Sequence, residues 1–262
     1  GLTGAHLQDP EDVQYLPYFP TGSKMLLARC LTSDVWRQLK DRKDAHGFTF
    51  RQAIFSGCKF INSGVGVYAG SHDSYYSFHQ LFDPIIEIYH QHKPDALHKI
   101  GMDIKALHCP DLPLNYQAHI LSTRIRVARN LSEMPLGASV TREQLLQIEE
   151  TVVSALQSFT GEMMGKYYSL GKMSEDERKM LVADHFLFKG GDKYLQAANL
   201  ERHWPEGRGI FHNMDKTFLV WVNEEDQLRI ISMQNDSNVT QVFARLVFAC
   251  FALEQKMNFA KD

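Results

Sequence analysis

The most informative part of this sequence is KTFLVWVNEEDQLRIISMQ, residues 216–234. Its two outer runs, KTFLVWV and LRIISMQ, are rich in β-branched and aromatic residues, and the polar residues NEED separate them. Such runs favour strands, and a polar connection of this length is typical of a β-hairpin. We therefore predict an antiparallel hairpin whose turn presents three carboxylates and whose second strand carries Arg229.

The acidic turn has two readings. Carboxylates at a hairpin tip are commonly just solvated. A functional reading requires a cationic substrate, because a carboxylate such as Glu225 could orient a guanidinium group and help to remove its proton before the nitrogen attacks. Arg229, four residues further on, could reach a phosphate.

A second strand pattern lies upstream in STRIRVAR, residues 122–129. Side chains two apart share one face of a strand, so Arg124 and Arg126 point one way while Ile125 and Val127 point toward the core. Two guanidinium groups side by side can bind phosphate oxygens bidentately. Exposed, solvated arginines or a small nucleic-acid patch are the alternatives that this strand alone leaves open.

The rest of the chain predicts an α+β fold: a small all-helical N-terminal domain and a larger domain with an antiparallel sheet flanked by helices. The domain boundaries are predicted at 1–95 for the helical domain with an N-terminal arm, 96–117 for a Pro-rich linker and 118–262 for the α/β domain. Helical periodicity and capping signals predict helices at 34–42, 50–56, 74–90 with an interruption at Pro84, 142–159, 175–188 and 240–257.

Composition excludes several functions. The 262 residues carry a formal net charge of -3, so general binding to nucleic acid or to an acidic membrane has no support. The four cysteines are far apart and form no disulfide or zinc pattern, which favours a reducing, cytoplasmic setting. No signal peptide or membrane-spanning run is visible, and we expect no membrane partner.

Two further segments are candidates for ligand contact. SGVGVYAG, residues 63–70, has glycines that permit close backbone approach to a small ligand, although an ordinary loop would have the same composition. It does not have the P-loop pattern, which is absent from the chain. His185, in DHFLFKGGD, lies at the end of an apolar helical pattern, where a histidine is more often a packing residue than a ligand.

Together these segments resemble the ATP:guanido phosphotransferases, or phosphagen kinases, over residues 23–257. STRIRVAR is similar to the nucleotide-binding strand of that family, DHFLFKGGDKYLQAAN to its adenine-side segment, and WPEGRGIFHNMDKTFLVWVNEEDQLRIISMQ to its central hairpin. SGVGVY is similar to the guanidino-specificity loop of the members that phosphorylate arginine.

The resemblance implies reversible transfer of the γ-phosphoryl group of ATP to a guanidino substrate, with Mg²⁺ held mainly by ATP and water and no protein metal site. The implied catalytic residues are Glu225, Arg126 and Arg229. The implied ATP-binding residues are Ser122, Thr123, Arg124, Ile125, Arg126, His185 and Arg229. The implied substrate-binding residues are Ser63, Gly64, Val65, Gly66, Tyr68 and Glu225.

Two departures from the family pattern affect these expectations. Gln227 stands where the family usually has histidine, and we expect only local tuning from it. The family also continues beyond the last helix with further phosphate-binding arginines and a second substrate carboxylate, so we expect an incomplete catalytic domain and little turnover from these residues alone.

Other readings stay open at this point. They are a non-catalytic relative that binds nucleotide or guanidine, a kinase for taurocyamine, lombricine, glycocyamine or creatine, and an RNA contact at the arginine strand. We expect a monomer or a homodimer.

Overall fold

The computed structural model describes residues 2–107 and 109–260. The first part of the chain, up to residue 90, contains the helices α1 (Leu26–Cys30), α2 (Ser33–Leu39), α3 (Phe50–Lys59), α4 (Ser74–Ser77) and α5 (His79–His90). Next come α6 (Leu114–Gln117), β1 (Thr123–Arg129), α7 (Arg142–Leu156), β2 (Gly165–Ser169), α8 (Glu175–Ala183), α9 (Lys193–Ala197), β3 (Gly209–Asn213), β4 (Phe218–Val222), β5 (Leu228–Gln234) and α10 (Val239–Glu254). No helix in these ranges is both long and apolar enough to cross a membrane.

The second part is built on one antiparallel sheet with the strand order β1-β5-β4-β3-β2, which confirms the predicted α+β class. The predicted hairpin is β4 and β5, in which Val222 pairs with Leu228 across the NEED turn. β2 and β3 were not predicted, because each has only five residues and contains a glycine that breaks the β-rich pattern.

The bounds of most predicted helices differ from the observed ones by up to three residues, and two helices differ more. The predicted break at Pro84 is wrong: the chain breaks at Phe78, and Pro84 lies inside α5, where the buried neighbours Leu81, Phe82 and Ile85 keep the helix intact beyond the missing N–H group. The helix predicted over 175–188 ends at Ala183, because His185 adopts a left-handed backbone with φ of 63°.

The two faces of the sheet are covered differently. The face that carries Ile125 and Val127 packs on the apolar side chains of α7 and α10, such as Ile148 and Leu246. The opposite face is covered by the segment after α8, which brings Leu187 and related side chains against β3, β4 and part of β5. Arg124 and Arg126 of β1 remain exposed next to this cover.

The helical part and the sheet part are joined through α9. Leu195 lies in the same apolar cluster as the core residues of α3, and the ring of Tyr194 lies edge-on to that of Phe60 with centroids 5.4 Å apart. The backbone N–H of Leu136 also donates to the carbonyl of Gly70 at 3.0 Å. The loop that follows α3 therefore lies close to segments of the second part.

Gly57 brings α3 and that loop into contact. A Cβ atom at position 57 would lie 2.5 Å from the carbonyl oxygen of Gly66 and 2.7 Å from Leu27 Cδ2, both of which belong to packed structure. Only glycine fits this helix position without moving its neighbours.

We predict that Gly57→Ala destabilises the protein by about 1–3 kcal/mol, although alanine is the better helix former by about 1 kcal/mol. The measurement is urea unfolding at equilibrium. Gly101→Ala is the matched control, because a Cβ there meets no atom within 4 Å. Equal stabilities for the two variants would contradict the close packing of this loop on α3.

Candidate active site

One wall of the site is the loop that follows α3. The carbonyls of Gly64 and Val65 accept the backbone N–H groups of Leu26 and Leu27, each at 3.0 Å, and so satisfy the first turn of α1. Gly66 adopts φ of 87°, which favours glycine. The N–H groups of Gly64 and Val65 have no acceptor among the described residues, so they are available to a ligand.

The opposite wall is the β4–β5 turn. Asn223 starts the turn with φ of 56°, and its side chain donates to the carbonyls of Leu145 and Gly207 at 3.2 and 2.9 Å. The backbone N–H of Asn223 donates to the carbonyl of Gln227 at 3.0 Å and closes the turn. The turn therefore holds Glu224 and Glu225 toward the loop.

A cleft of about 810 Å³ separates these walls. It is of the size that small-molecule sites have in enzymes. The predicted substrate residues that line it are Ser63, Gly64, Val65, Gly66, Tyr68 and Glu225, and they are joined by Lys24, Asp192 and Glu224.

The cleft is electrostatically negative. Burial raises the pKa of Glu225, and the negative charges of Asp226, Glu224 and Asp192 raise it further, while Arg229 opposes the shift. Burial also raises the pKa of Tyr68 to about 12, with smaller contributions from Glu225 and Asp192. Tyr68 is therefore a neutral hydroxyl at ordinary pH, and a cation in the cleft would relieve the repulsion between the carboxylates.

The three predicted arginines lie on one face of β1 and β5. Arg126 pairs with Ile231 and Ala128 with Arg229, and residues directly opposite in such a ladder share a face. Burial and the nearby charges of Arg126 and Arg229 lower the pKa of Arg124. The structure thus gathers three positive charges within interaction distance.

Few protein carboxylates balance this cluster. Arg229 pairs with Asp226 at 3.1 Å, but its buried Nε has no hydrogen-bond partner. Arg124 and Arg126 form no ion pair with a described residue, and the Arg124 guanidinium lies 5.5 Å from the centre of the Trp221 ring. Unpaired guanidinium groups on one face of a sheet can bind an anion with several oxygens.

The other predicted nucleotide residues are placed as follows. Ser122 and His185 are exposed, and His185 adjoins Phe186, whose carbonyl accepts the indole N–H of Trp221 at 2.8 Å. Thr123 and Ile125 alternate with the arginines and lie on the other face of β1: Thr123 donates its hydroxyl to the carbonyl of Asp236, and Ile125 packs in the core. Their side chains are therefore not on the arginine face, as the alternation of the strand predicted for Ile125, and their contact with ATP stays a prediction.

Sequence reasoning underestimated Gln227. Its side chain is 2% exposed; Oε1 accepts the N–H of Leu131 at 2.8 Å, and Nε2 donates to the carbonyl of Pro135 at 2.7 Å. Its own N–H donates to Asn130 Oδ1 at 3.0 Å. Gln227 thus attaches the acidic turn to the segment after β1, which a pattern of local residues does not reveal.

Arg208 was also missed. Its guanidinium is buried and donates to the backbone carbonyls of Asn223, Leu200, Arg202 and Glu206. Burial lowers its pKa to about 10, so it stays charged while those carbonyls replace water. The only signal in the sequence is an arginine within an apolar strand pattern, GRGIF.

We predict that Gln227→Ala lowers the free energy of unfolding by about 2–4 kcal/mol, because the N–H of Leu131 and the carbonyl of Pro135 lose their buried partners. The measurement is chemical denaturation. Gln147→Ala, at an exposed position of α7, is the control and should change stability by less than about 0.5 kcal/mol. A small effect at position 227 would mean that the turn is held by other contacts.

Comparison with known proteins agrees with this geometry. Residues 147–262 match the family described as ATP:guanido phosphotransferase, C-terminal catalytic domain, and residues 21–87 match its N-terminal domain. The chain is 49% identical over 238 residues to an arginine kinase of Anthopleura japonica, with 90% of this chain and 33% of the relative covered. It is 46% identical to the arginine kinase of Limulus polyphemus, with 91% of this chain and 67% of the relative covered.

Solved structures give the same result. The substrate-free duplicated taurocyamine kinase from Schistosoma mansoni matches with a TM-score of 0.87 and 33% identity over 97% of this chain and 36% of that chain. A lombricine kinase crystal structure matches with a TM-score of 0.86 and 30% identity over 97% of this chain and 70% of that chain. The protein belongs to the ATP:guanido phosphotransferase family. It spans a third of the length of the Anthopleura relative and about two thirds of that of the Limulus relative.

Proposed function

We propose that the protein transfers the γ-phosphoryl group of ATP to a guanidino nitrogen of L-arginine and catalyses the reverse reaction. The observation that carries this proposal is the β4–β5 turn, in which Glu225 lines the cleft and Asp226 pairs with Arg229 of the cationic face. A site for a cation and a site for an anion are thus only a few residues apart. Transfer of a phosphoryl group from a triphosphate to a guanidino nitrogen requires such neighbouring sites.

Each group has a defined task in this proposal. Arg124, Arg126 and Arg229 bind the phosphate oxygens and neutralise the charge on the transferring group, which is the largest protein contribution to phosphoryl transfer. Glu225 orients the guanidinium and accepts its proton, and its raised pKa brings it closer to the range of an effective general base. Tyr68 and the free N–H groups of the loop hold the amino-acid end.

Magnesium is part of this proposal as an ion bound to the nucleotide. Residues 2–107 and 109–260 contain no group of three His, Cys, Asp or Glu side chains arranged to hold a metal ion. We propose that Mg²⁺ is bound by the phosphate oxygens and water, where it supplies positive charge to the transferring group. His185 and Ser122 are proposed to contact the nucleotide.

The preference for arginine rests on the relatives. Proteins named arginine kinase share 42–49% identity with this chain, whereas the taurocyamine and lombricine kinase structures share 30–35%. Transfer to taurocyamine or lombricine is therefore the second candidate. The proposed domain boundaries near residues 95 and 117 and the monomeric or dimeric state stay predictions.

The direct test is ³¹P NMR of the protein at its natural length with MgATP and L-arginine. We expect a phosphorus–nitrogen product that appears as ATP is consumed, because the phosphoryl group passes to a guanidino nitrogen instead of to water. Parallel samples with taurocyamine, lombricine and glycocyamine identify the substrate. Binding of ATP without transfer to any of these compounds would support a non-catalytic relative and refute the proposal.

We predict that Arg126→Ala weakens binding of ATP by about 10- to 150-fold, the equivalent of one charge-assisted hydrogen bond of about 1.5–3 kcal/mol. Isothermal titration calorimetry measures it. Arg37→Ala is the control, because this exposed arginine of α2 pairs with Asp34 away from the cleft. Unchanged affinity in Arg126→Ala would mean that the arginine face is not the phosphate site.

We predict that the affinity for arginine falls as pH is lowered from neutral, and that the fall begins above the pH range in which an ordinary glutamate titrates, because the pKa of Glu225 is raised. Binding of the cation favours the carboxylate, so it lowers that pKa and releases protons in the same window. Calorimetry in two buffers of different ionisation enthalpy measures the release. Glu225→Gln should weaken binding and abolish this proton release, whereas exposed Glu162→Gln should leave both unchanged.

A further inference from the structure

The charges that line the cleft are unequal in number. Among the described residues, Lys24 is the one cation in its lining, and Asp192, Glu224 and Glu225 are the anions. Glu225 is the carboxylate proposed to pair with the guanidinium group, and Lys24 offsets the charge of one of the other two. The remaining negative charge is unexplained by the guanidino end of a substrate.

Of these three carboxylates, Asp192 is the one that does not belong to the β4–β5 turn. It precedes α9, and its Oδ1 accepts the backbone N–H groups of Tyr194 and Leu195 at 2.9 and 3.0 Å. Its other oxygen has no hydrogen-bond donor, and the residue forms no ion pair with a described residue. Asp192 therefore presents a fixed charge with one free oxygen to the cleft.

Tyr68, which follows the loop, lines the same cleft as Asp192. The negative charges of both Asp192 and Glu225 act on the Tyr68 hydroxyl, although the two carboxylates come from different elements. Tyr68 follows the loop whose N–H groups at Gly64 and Val65 are free. An acceptor for an ammonium group and donors for a carboxylate thus lie in the lining of one cleft.

Guanidino compounds differ most at the end away from the guanidinium. Arginine carries an α-ammonium beside its α-carboxylate and has a net charge of one positive unit. Taurocyamine, glycocyamine and creatine carry an anion there without an ammonium group, and their net charge is zero. A cleft with excess negative charge favours the ligand with the additional cation.

We propose that Asp192 determines specificity by pairing with the α-ammonium group of a guanidino amino acid, whose α-carboxylate the loop holds under the proposed function. This inference rests on the proposed function, because it assumes that the cleft is the guanidino site. It assigns a role to a residue that the resemblance did not include. It also gives a physical reason for the preference of the cleft for an amino acid.

The test compares Asp192→Asn with the unchanged protein against two ligands, L-arginine and 5-guanidinopentanoic acid, which lacks only the amino group. Asparagine caps a helix about as well as aspartate, so α9 keeps its start while the charge is removed. We expect about 3- to 10-fold weaker binding of arginine, between the values for an exposed ion pair and a buried charge-assisted bond. Binding of 5-guanidinopentanoic acid should change by less than about 2-fold.

Two controls separate charge pairing from other effects. Glu224→Gln removes another negative charge from the same cleft, so it measures the effect of the general field, and Asp192→Asn should weaken arginine binding selectively by more than this variant does. Thermal unfolding should match the unchanged protein for Asp192→Asn and fall for Asp192→Ala, which also loses the cap. In turnover assays of the protein at its natural length, Asp192→Asn should raise KM for arginine and leave kcat nearly unchanged.

The outcomes are distinct. Selective loss of arginine binding supports the inference, whereas equal loss for both ligands, or no loss, overturns it. If the unchanged protein transfers phosphate to arginine but Asp192→Asn keeps its discrimination between the ligands, only this inference fails. If the unchanged protein binds neither ligand, the proposed function itself fails.

Discussion

The β4–β5 turn is held by buried polar side chains that hydrogen-bond to the backbone of distant segments. Gln227 bonds to two backbone groups of residues 131–135, and Asn223 bonds to the carbonyls of Leu145 and Gly207. A buried polar group without a partner costs about 1–3 kcal/mol, so these bonds form as a set. The turn consequently has one position, and every group that it carries is placed by that network.

The same turn separates two regions of like charge. On one side Glu225 lies near other carboxylates, which raise its pKa, and on the other Arg124 lies near two arginines, which lower its pKa. Each cluster costs free energy in the unliganded protein, because like charges repel and partial burial weakens their hydration. A guanidinium and a triphosphate would each relieve one cluster. The folded structure holds both clusters in place despite this cost. Groups of like charges with shifted pKa values are characteristic of sites that bind charged ligands.

The sequence was informative where a pattern is local. The alternation of STRIRVAR put Arg124 and Arg126 on one face, and the β-rich runs around NEED located β4 and β5. Contacts between distant segments were not predictable. Gln227 reads as an ordinary turn residue until the fold brings residues 131–135 beside it, and the carboxylate of Asp192 reads only as a helix cap. Short strands such as β2 carry too few residues for a period to be recognised.

The loop that follows α3 and the arginine face are positioned by different parts of the core. The loop is positioned by α1 and α3, through the close approach of Gly57 and the hydrogen bonds that its carbonyls accept from Leu26 and Leu27. The arginines are positioned by the ladder between β1 and β5. Substitutions in the loop can therefore change the lining of the cleft without disturbing the arginine face. The β4–β5 turn borders both regions and is held by the buried side chains of Asn223 and Gln227, so a change that moves it alters the cleft and the arginine face together.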